Sequence, residues 1–254
     1  MELLLLSNST NKGDDYLGHA KALVEDFLAG IPELLFIPFA LADHDGYTRT
    51  VQEALPFTSV RGIHDAPDPA AALAEAEAVF VGGGNTFRLT KTLQETALLA
   101  ALRLAVRSGT TRYIGASAGT NIAAPTLRTT NDMPIVEPPS FETLGLVPFQ
   151  INPHFLDADP SSTHAGESRE TRLSEYLEEN DIPVLGLREG THLRVQADVA
   201  QDDRIVNVQA AVAGKAVSNA SGPAVVFTRA AAPREVAGDV SWLFGQFDRE
   251  PLGS

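Results

Sequence analysis

The chain has 254 residues, of which 44% are hydrophobic and 20% charged, and this composition suits a single large globular domain spanning 1–254. Its formal net charge of −14 argues against nucleic-acid binding, which needs clustered Lys and Arg. No apolar run is long enough to span a membrane. The absence of cysteine excludes disulfides, thiolate metal sites and a cysteine nucleophile, and it is consistent with a reducing cytoplasm.

The first half alternates short apolar runs with amphipathic helical patterns. The apolar runs predict strands at 3–7, 34–40, 59–64, 78–84 and 112–117. Apolar residues at three- and four-residue spacing predict helices over 16–30 and 86–109, with weaker patterns over 46–55 and 68–78. Strands that are almost continuously apolar, separated by helices, predict a mostly parallel sheet covered on both faces.

The second half is less regular. A polar stretch with several prolines, 127–140, predicts an ordered loop. Strand patterns follow at 146–155 and 183–189, on either side of an amphipathic helix over 166–180. Beyond these, over 192–230, short strands joined by polar turns predict β-hairpins.

A serine flanked by small residues follows the predicted strand 112–117, in the stretch Gly115-Ala116-Ser117-Ala118-Gly119. Ligands of parallel sheets bind beyond the carboxyl ends of the strands. Small neighbours permit a tight strand-to-helix turn that presents the hydroxyl and leaves backbone N–H groups free, as in the Gly-x-Ser-x-Gly elbow. The same pattern also fits a close strand–helix contact without any chemistry.

A glycine run ends another predicted strand, at Gly82-Gly83-Gly84-Asn85-Thr86. Its N–H groups could face an anionic ligand, but it lacks the Lys-Ser/Thr pair of a P-loop and the Gly-x-Gly-x-x-Gly spacing. The alternative is a plain turn in which Asn85 or Thr86 caps a helix. Beside a nucleophile, the run would form an oxyanion hole.

A nucleophilic serine needs a general base and an acid that orients it. Among six histidines, His154 is the best candidate because Asn-Pro places it at a strand end; His164 and His192 could also line a cleft. Two acids qualify by position, Glu189 at the end of a predicted strand and Asp132 in the loop after the elbow. Either acid could equally be a solvated charge or a helix cap.

The motifs together resemble those of the peptidase E family of α-aspartyl dipeptidases. The matching stretches are "MELLLLSNST", "LFIPFA", "VGGGNTF", "GASAGTN", "RTTNDMPIV", "QINPHF", "GESRE" and "GLREG", in family order over residues 1–195. The resemblance implies a flavodoxin-like, three-layer α/β/α fold related to class I glutamine amidotransferase domains. It also implies a serine peptidase without cofactor or metal, monomeric or homodimeric, that removes an N-terminal aspartate from Asp-X dipeptides.

The resemblance also implies roles for individual residues. By motif, Ser117 is the nucleophile, His154 the base and Glu189 the third member of the triad. Asp132 matches a further acidic position and ranks second for orienting the base.

The remaining implied roles concern binding. The N–H groups of Gly84 and Ala118 would form the oxyanion hole, with Gly83 and Asn85 contacting substrate. Arg169 is similar to the position expected to bind the side-chain carboxylate of the substrate. An acidic protein that selects aspartate needs such a cation, and the planar guanidinium binds a carboxylate through two hydrogen bonds. The alternative is a surface arginine paired with Glu167 or Glu170.

This sequence departs from the family pattern in several places. Ala116 stands where a bulkier residue is expected, which predicts a roomier or differently closed pocket. Arg188 replaces a more usual proline next to Glu189. The segment after 195 diverges, and the tail after Pro233 is expected to be peripheral apart from a short docking helix within 240–247.

Two other functions fit the same residues. One is a cyanophycinase-like enzyme that cleaves β-aspartyl bonds on the same scaffold. The other is a non-catalytic protein that binds a small ligand through its glycine run. The first differs in the bond it cleaves, and the second would not react with a probe for activated serines.

Overall fold

A parallel sheet forms the centre of the protein, whose computed structural model describes residues 1–158, 166–199, 205–215 and 222–245. The parallel strands are β1 (Glu2–Leu6), β2 (Glu33–Ile37), β3 (Ser59–Gly62), β4 (Ala78–Val81) and β5 (Arg112–Ala116). Their order in the sheet is β3-β2-β4-β5-β1. The carboxyl ends of β4 and β5, which precede the glycine run and the serine elbow, are therefore neighbours.

Helices cover both faces of this sheet. The helices of the described ranges are α1 (Lys21–Phe27), α2 (His44–Ala54), α3 (Pro69–Glu75), α4 (Thr86–Glu95), α5 (Leu98–Arg107), α6 (Ala118–Asn121) and α7 (Arg169–Glu179). Alternate strand residues point to opposite faces, so that Leu4 and Phe80 pack with α1 and α2. Leu3 and Val79 pack with α3, α4 and α5. The predicted three-layer α/β/α architecture is confirmed.

Antiparallel strands extend the molecule beyond β1. Strands β8 (Thr191–Val199), β9 (Ile205–Gly214) and β12 (Gly238–Asp239) continue the main sheet to eight strands. A second sheet contains β6 (Gln150–Phe155), β7 (Val184–Arg188), β10 (Ala224–Phe227) and β11 (Arg234–Val236), with β6 parallel to β7. The predicted hairpin β8–β9 is present, although its predicted turn at 201–204 lies outside the described residues. Strands β10 and β11 form a further antiparallel pair that the sequence did not predict.

The helix predicted over 86–109 is interrupted. It forms two helices, α4 and α5, separated at Ala97, which adopts a left-handed backbone with φ of 59°. No glycine or proline marks this break, which explains why an uninterrupted amphipathic pattern predicts one helix. The stretch 127–140 is a loop, as predicted, and contains one short 3₁₀ turn at Leu127–Thr129.

After Pro233 the chain lies at the edges of the two sheets, and the segment expected to dock, within 240–247, packs onto the core. Strand β11 pairs with β10, and Val240 and Leu243 are fully buried in the same core as the parallel strands. The docking helix expected within 240–247 is a single 3₁₀ turn, Ser241–Leu243, and residues 246 and 247 lie outside the described ranges. Apolar side chains at Val240 and Leu243 explain the burial of this segment. Within the described ranges, no helix is long and apolar enough to cross a membrane.

Candidate active site

Ser117 occupies the turn between strand β5 and helix α6. Its backbone is strained for a residue with a side chain, with φ of 52° and ψ of −107°. The turn is held by two backbone hydrogen bonds: the Ser117 N–H donates to the Leu6 carbonyl at 3.2 Å, and Asn121 N–H donates to the Ser117 carbonyl at 2.8 Å. The surrounding packing therefore maintains a conformation that costs about 1–3 kcal/mol.

Two glycines make this turn possible. A Cβ on Gly119 would lie 2.1 Å from the Val81 carbonyl oxygen, and one on Gly115 would lie 2.6 Å from the Gly119 carbonyl oxygen. Helix α6 can approach the sheet this closely only without side chains at both positions. Ala116 is fully buried in the core shared with α1 and α2 and lines neither of the two cavities at Ser117. The small side chain of Ala116 therefore affects packing in the core and does not enlarge either cavity.

His154 reaches Ser117 from the second sheet. It lies at an irregular end of β6, with a positive φ of 53°, and its Nε2 is 2.9 Å from the Ser117 hydroxyl oxygen. Its backbone N–H donates to the Ser7 hydroxyl oxygen at 2.9 Å. That hydroxyl in turn donates to the Leu187 carbonyl at 2.8 Å, so Ser7 joins the end of β1 to both β6 and β7.

Glu189 follows β7 directly and contacts the other side of the imidazole. Its Oε1 lies 2.7 Å from His154 Nδ1. A carboxylate can only accept here, so in a neutral imidazole Nδ1 carries the hydrogen and Nε2 is left to accept the proton of the Ser117 hydroxyl. The next residue, Gly190, donates its N–H to the Asn8 side-chain oxygen at 2.7 Å, which ties the Glu189 loop to the segment after β1.

Asp132, the second acid predicted from the sequence, does not contact His154. Its Oδ2 accepts hydrogen bonds from the Thr86 N–H at 2.7 Å and the Thr86 hydroxyl at 2.6 Å. Its other carboxylate oxygen has no hydrogen-bond partner among the described residues. Asp132 thus lines the cavity at Ser117 while Glu189 is the acid in contact with the imidazole.

The glycine run lies beside the serine hydroxyl. Gly84 has a φ of 133°, and a Cβ there would lie 2.6 Å from the Ala40 carbonyl oxygen, so only glycine fits. A Cβ on Gly83 would lie 3.1 Å from the Ser117 Cβ, which shows how closely the two loops approach. Within the described part of the chain, the N–H groups of Gly84 and Ala118 donate to no protein acceptor.

Asn85 does not face the cavity as a substrate-binding residue would. Its Oδ1 accepts from the Arg88 N–H at 3.0 Å and its Nδ2 donates to the Met133 carbonyl at 2.9 Å. Asn85 is therefore the N-cap of α4, the alternative that the sequence left open, and it also fixes the loop that carries Asp132.

Two cavities meet at Ser117, Asp132 and His154. The first, of about 300 Å³, is called the arginine pocket and is also lined by Thr86, Ala118, Thr130, Asn131, Pro153, Leu156, Arg169 and Glu189. The second, of about 440 Å³, is called the tyrosine pocket and is also lined by Ser9, Tyr16, Leu41, Tyr47, Gly83 and Gly84. The hydroxyl of Ser117 is thus accessible from two chemically different sides.

Arg169 is the first residue of helix α7 and lines the arginine pocket. Burial and the neighbouring Arg172 lower the pKa of Arg169, whereas Asp132 and Glu189 raise it; a guanidinium remains charged at neutral pH. Within the described ranges Arg169 has no ion pair or hydrogen-bonded acceptor, and Glu167, one of its sequence neighbours, pairs with Arg172 at 3.8 Å instead. A half-buried cation without a partner is a ready site for an anionic group.

Arg188 does not form part of this site, although it precedes Glu189. Its side chain is 1% exposed and forms two hydrogen bonds each with the carboxylates of Asp157 and Glu235. Burial alone would lower the pKa of Arg188, but these hydrogen bonds outweigh it and raise that pKa. The arginine therefore anchors β11 and the end of β6 to β7.

Sequence reasoning missed Ser7 and Thr86, which position His154 and Asp132. Both are small polar residues next to predicted elements, and no local pattern distinguishes them from ordinary turn residues. His192 lies in β8 and lines neither cavity at Ser117, and His164 lies outside the described residues.

A serine hydroxyl, an imidazole and a carboxylate lie in hydrogen-bonded sequence at the carboxyl edge of an α/β sheet. Free N–H groups beside the hydroxyl can stabilise an oxyanion, so fold and site together define a serine hydrolase. Residues 3–202 match the family model described as Peptidase family S51, and the chain belongs to this family of serine peptidases.

Individual relatives extend this likeness. A Peptidase E of Streptomyces coelicolor is 58% identical over 255 residues, covering 98% of either chain. A Drosophila melanogaster protein named "Probable alpha-aspartyl dipeptidase" is 52% identical over 202 residues, 78% of this chain and 84% of the relative. A solved peptidase structure from an acI-B1 actinobacterium has a TM-score of 0.62 at 18% identity, covering 93% of each chain, which supports the fold alone. The Streptomyces match spans the segment after 195, so that segment has a counterpart in a relative.

Replacing Ser7 tests how His154 is held. In Ser7→Ala the His154 N–H and the Leu187 carbonyl lose their shared partner. We expect the imidazole to be less well placed and a fluorophosphonate probe to label Ser117 about ten-fold more slowly. Ser174→Ala, which removes an exposed hydroxyl on α7, is the matched control and should label at the wild-type rate. An unchanged rate in Ser7→Ala would show that this hydrogen bond does not position His154.

Proposed function

We propose that this serine peptidase is an exopeptidase that hydrolyses the bond after an N-terminal aspartate in Asp-X dipeptides, through an acyl-enzyme. The observation that carries the proposal is the guanidinium of Arg169, which has no ion pair among the described residues and shares one small pocket with the Ser117 hydroxyl and the carboxylate of Asp132. The names of the Streptomyces and Drosophila relatives, peptidase E and alpha-aspartyl dipeptidase, support the same substrate class.

The arginine pocket complements both charges of an N-terminal aspartate. Such a residue carries a side-chain carboxylate and an α-ammonium group on neighbouring carbons. The guanidinium of Arg169 would bind the carboxylate through two hydrogen bonds. The free oxygen of Asp132 would accept a hydrogen bond from the ammonium group. A volume of about 300 Å³ suits one residue rather than a longer peptide on this side of Ser117.

The proposed reaction follows from the contacts at Ser117. His154 Nε2 takes the hydroxyl proton as Ser117 Oγ attacks the aspartyl carbonyl, and Glu189 stabilises the imidazolium. The N–H groups of Gly84 and Ala118 stabilise the oxyanion. Collapse of the tetrahedral intermediate breaks the C–N bond, and His154 gives its proton to the leaving amine. Water, deprotonated by His154, then hydrolyses the aspartyl ester and restores the hydroxyl.

We propose a cytoplasmic location, which rests on a sequence without cysteine. Hydrolysis of short peptides would suit such a compartment, where longer peptides are degraded.

A panel of dipeptides tests the substrate class. We expect the purified protein to cleave Asp-Leu and to leave β-Asp-Leu, Asn-Leu, Glu-Leu and Ala-Leu largely intact. Ser117→Ala should lower turnover of Asp-Leu by about 10⁶-fold. Preference for β-Asp-Leu would favour a cyanophycinase-like enzyme instead. If the folded protein cleaves none of the five, the proposal is wrong.

Arg169→Met tests the carboxylate contact. We expect kcat/KM for Asp-Leu to fall by about 100- to 1000-fold, because the substrate carboxylate then meets the carboxylates of Asp132 and Glu189 without a cation to offset them. Arg172→Met is the matched control, since Arg172 lies one turn further along α7 and is more than half exposed. It should change kcat/KM by less than about two-fold. Full preference for Asp-Leu in Arg169→Met would contradict the assignment.

The two acids can be separated by their effects. Asp132→Asn should raise KM for Asp-Leu by about ten-fold and leave fluorophosphonate labelling of Ser117 nearly unchanged, because it removes only the ammonium contact. Glu189→Gln should slow both turnover and labelling by about 100-fold or more, because the imidazolium loses its carboxylate. The reverse pattern would make Asp132 the residue that orients His154.

A further inference from the structure

The tyrosine pocket lies on the side of Ser117 that Arg169 does not reach. We infer that this pocket receives the residue after the aspartate by its apolar side chain and makes no use of a free C-terminal carboxylate. Aspartyl dipeptide amides are then substrates as well as free dipeptides. The inference rests on the proposed function, because it assumes that the aspartyl residue occupies the arginine pocket.

The position of the pocket makes it the exit for the leaving group. It is lined by Ser117 and His154, which in the proposed reaction form and break the bond, and by Gly84, whose N–H would stabilise the oxyanion. Arg169 does not line it. With the aspartyl side chain held at Arg169, the chain beyond the scissile bond continues into the tyrosine pocket.

The side of this pocket formed by Tyr16, Tyr47 and Leu41 is largely aromatic and carries no charge. The Tyr16 and Tyr47 hydroxyl oxygens are 3.1 Å apart and share a hydrogen bond, and their rings meet edge to face with centroids 6.0 Å apart. Burial raises the pKa of both phenols, so both remain neutral. Leu41 is 39% exposed and forms the apolar side of the opening. Such a wall favours an apolar side chain in the residue that leaves.

The charges around the pocket disfavour recognition of a carboxylate. Among the described residues that line it there is no Lys or Arg, and the only acid is Asp132, which repels an anion. A free C-terminal carboxylate would lose water here without gaining a cation. An amide in its place carries no charge and finds hydroxyl partners in Tyr16, Tyr47 and Ser9.

Comparison of Asp-Leu with its amide, Asp-Leu-NH₂, tests the inference with the wild-type protein. A carboxylate held by a cation would contribute about 10- to 150-fold to kcat/KM. We expect kcat/KM for the amide to be lower by less than ten-fold, or higher. A loss of ten-fold or more, with Asp-Leu cleaved normally, overturns the inference and leaves the proposed function standing. Failure to cleave Asp-Leu itself overturns both.

Leu41→Ala tests the apolar wall separately. We expect the ratio of kcat/KM for Asp-Leu over Asp-Ala to fall by about three- to ten-fold, less than in a fully enclosed pocket because Leu41 is partly exposed. The control is Leu104→Ala, a 72% exposed leucine on α5, which should leave the ratio unchanged. An unchanged ratio in Leu41→Ala would show that this side of the site does not hold the leaving residue.

Discussion

The close approach of helix α6 to the parallel sheet is the constraint on which the rest of the site depends. Gly119 packs so tightly against the Val81 carbonyl that any side chain would collide with it. This contact brings the start of α6 next to the end of β4 and forces Ser117 into its strained backbone conformation. The glycine run after β4 and the elbow after β5 therefore meet, and their N–H groups converge beside one hydroxyl.

The other half of the site comes from a different sheet. His154 lies near the end of β6 and Glu189 directly follows the parallel strand β7. Ser7, just after β1, is hydrogen-bonded to both strands. The buried Ser7 hydroxyl therefore joins the two sheets, and this junction sets the distance from the His154 imidazole to the Ser117 hydroxyl. Helix α7 then adds Arg169 between the acids, which places one cation in a pocket of a strongly acidic chain. In the proposed function, this positive charge would select an anionic substrate that the rest of the surface would repel.

Much of this arrangement could be predicted from local sequence. The apolar runs located the parallel strands to within a few residues, and the small residues around Ser117 marked the elbow, because both signals are local. Local pattern alone could not separate the roles of Glu189, Asp132 and Asn85, since each acid or amide fits several; only the family resemblance assigned Glu189 to His154. Which role each residue takes depends on the register between β6 and β7 and on where the loop 127–140 folds back.

Contacts between distant segments were the least predictable. Ser7 and His154 are 147 residues apart, and no sequence pattern near Ser7 predicts the hydrogen bond between them. Ala97 breaks a helix without a glycine or proline, and strand β11 pairs with β10 in a segment where the sequence predicted no strand. In each case packing between elements decides the outcome, and a single sequence does not encode that packing in a local pattern.

The most direct test of the account is to trap the covalent intermediate. Rapid acid quenching of the enzyme during turnover of Asp-Leu, followed by mass spectrometry of its peptides, would reveal any acyl group and its position. The account predicts one aspartyl residue attached as an ester to the peptide that contains Ser117. An aspartyl group on another residue, or turnover of Asp-Leu that persists in Ser117→Ala, would contradict it.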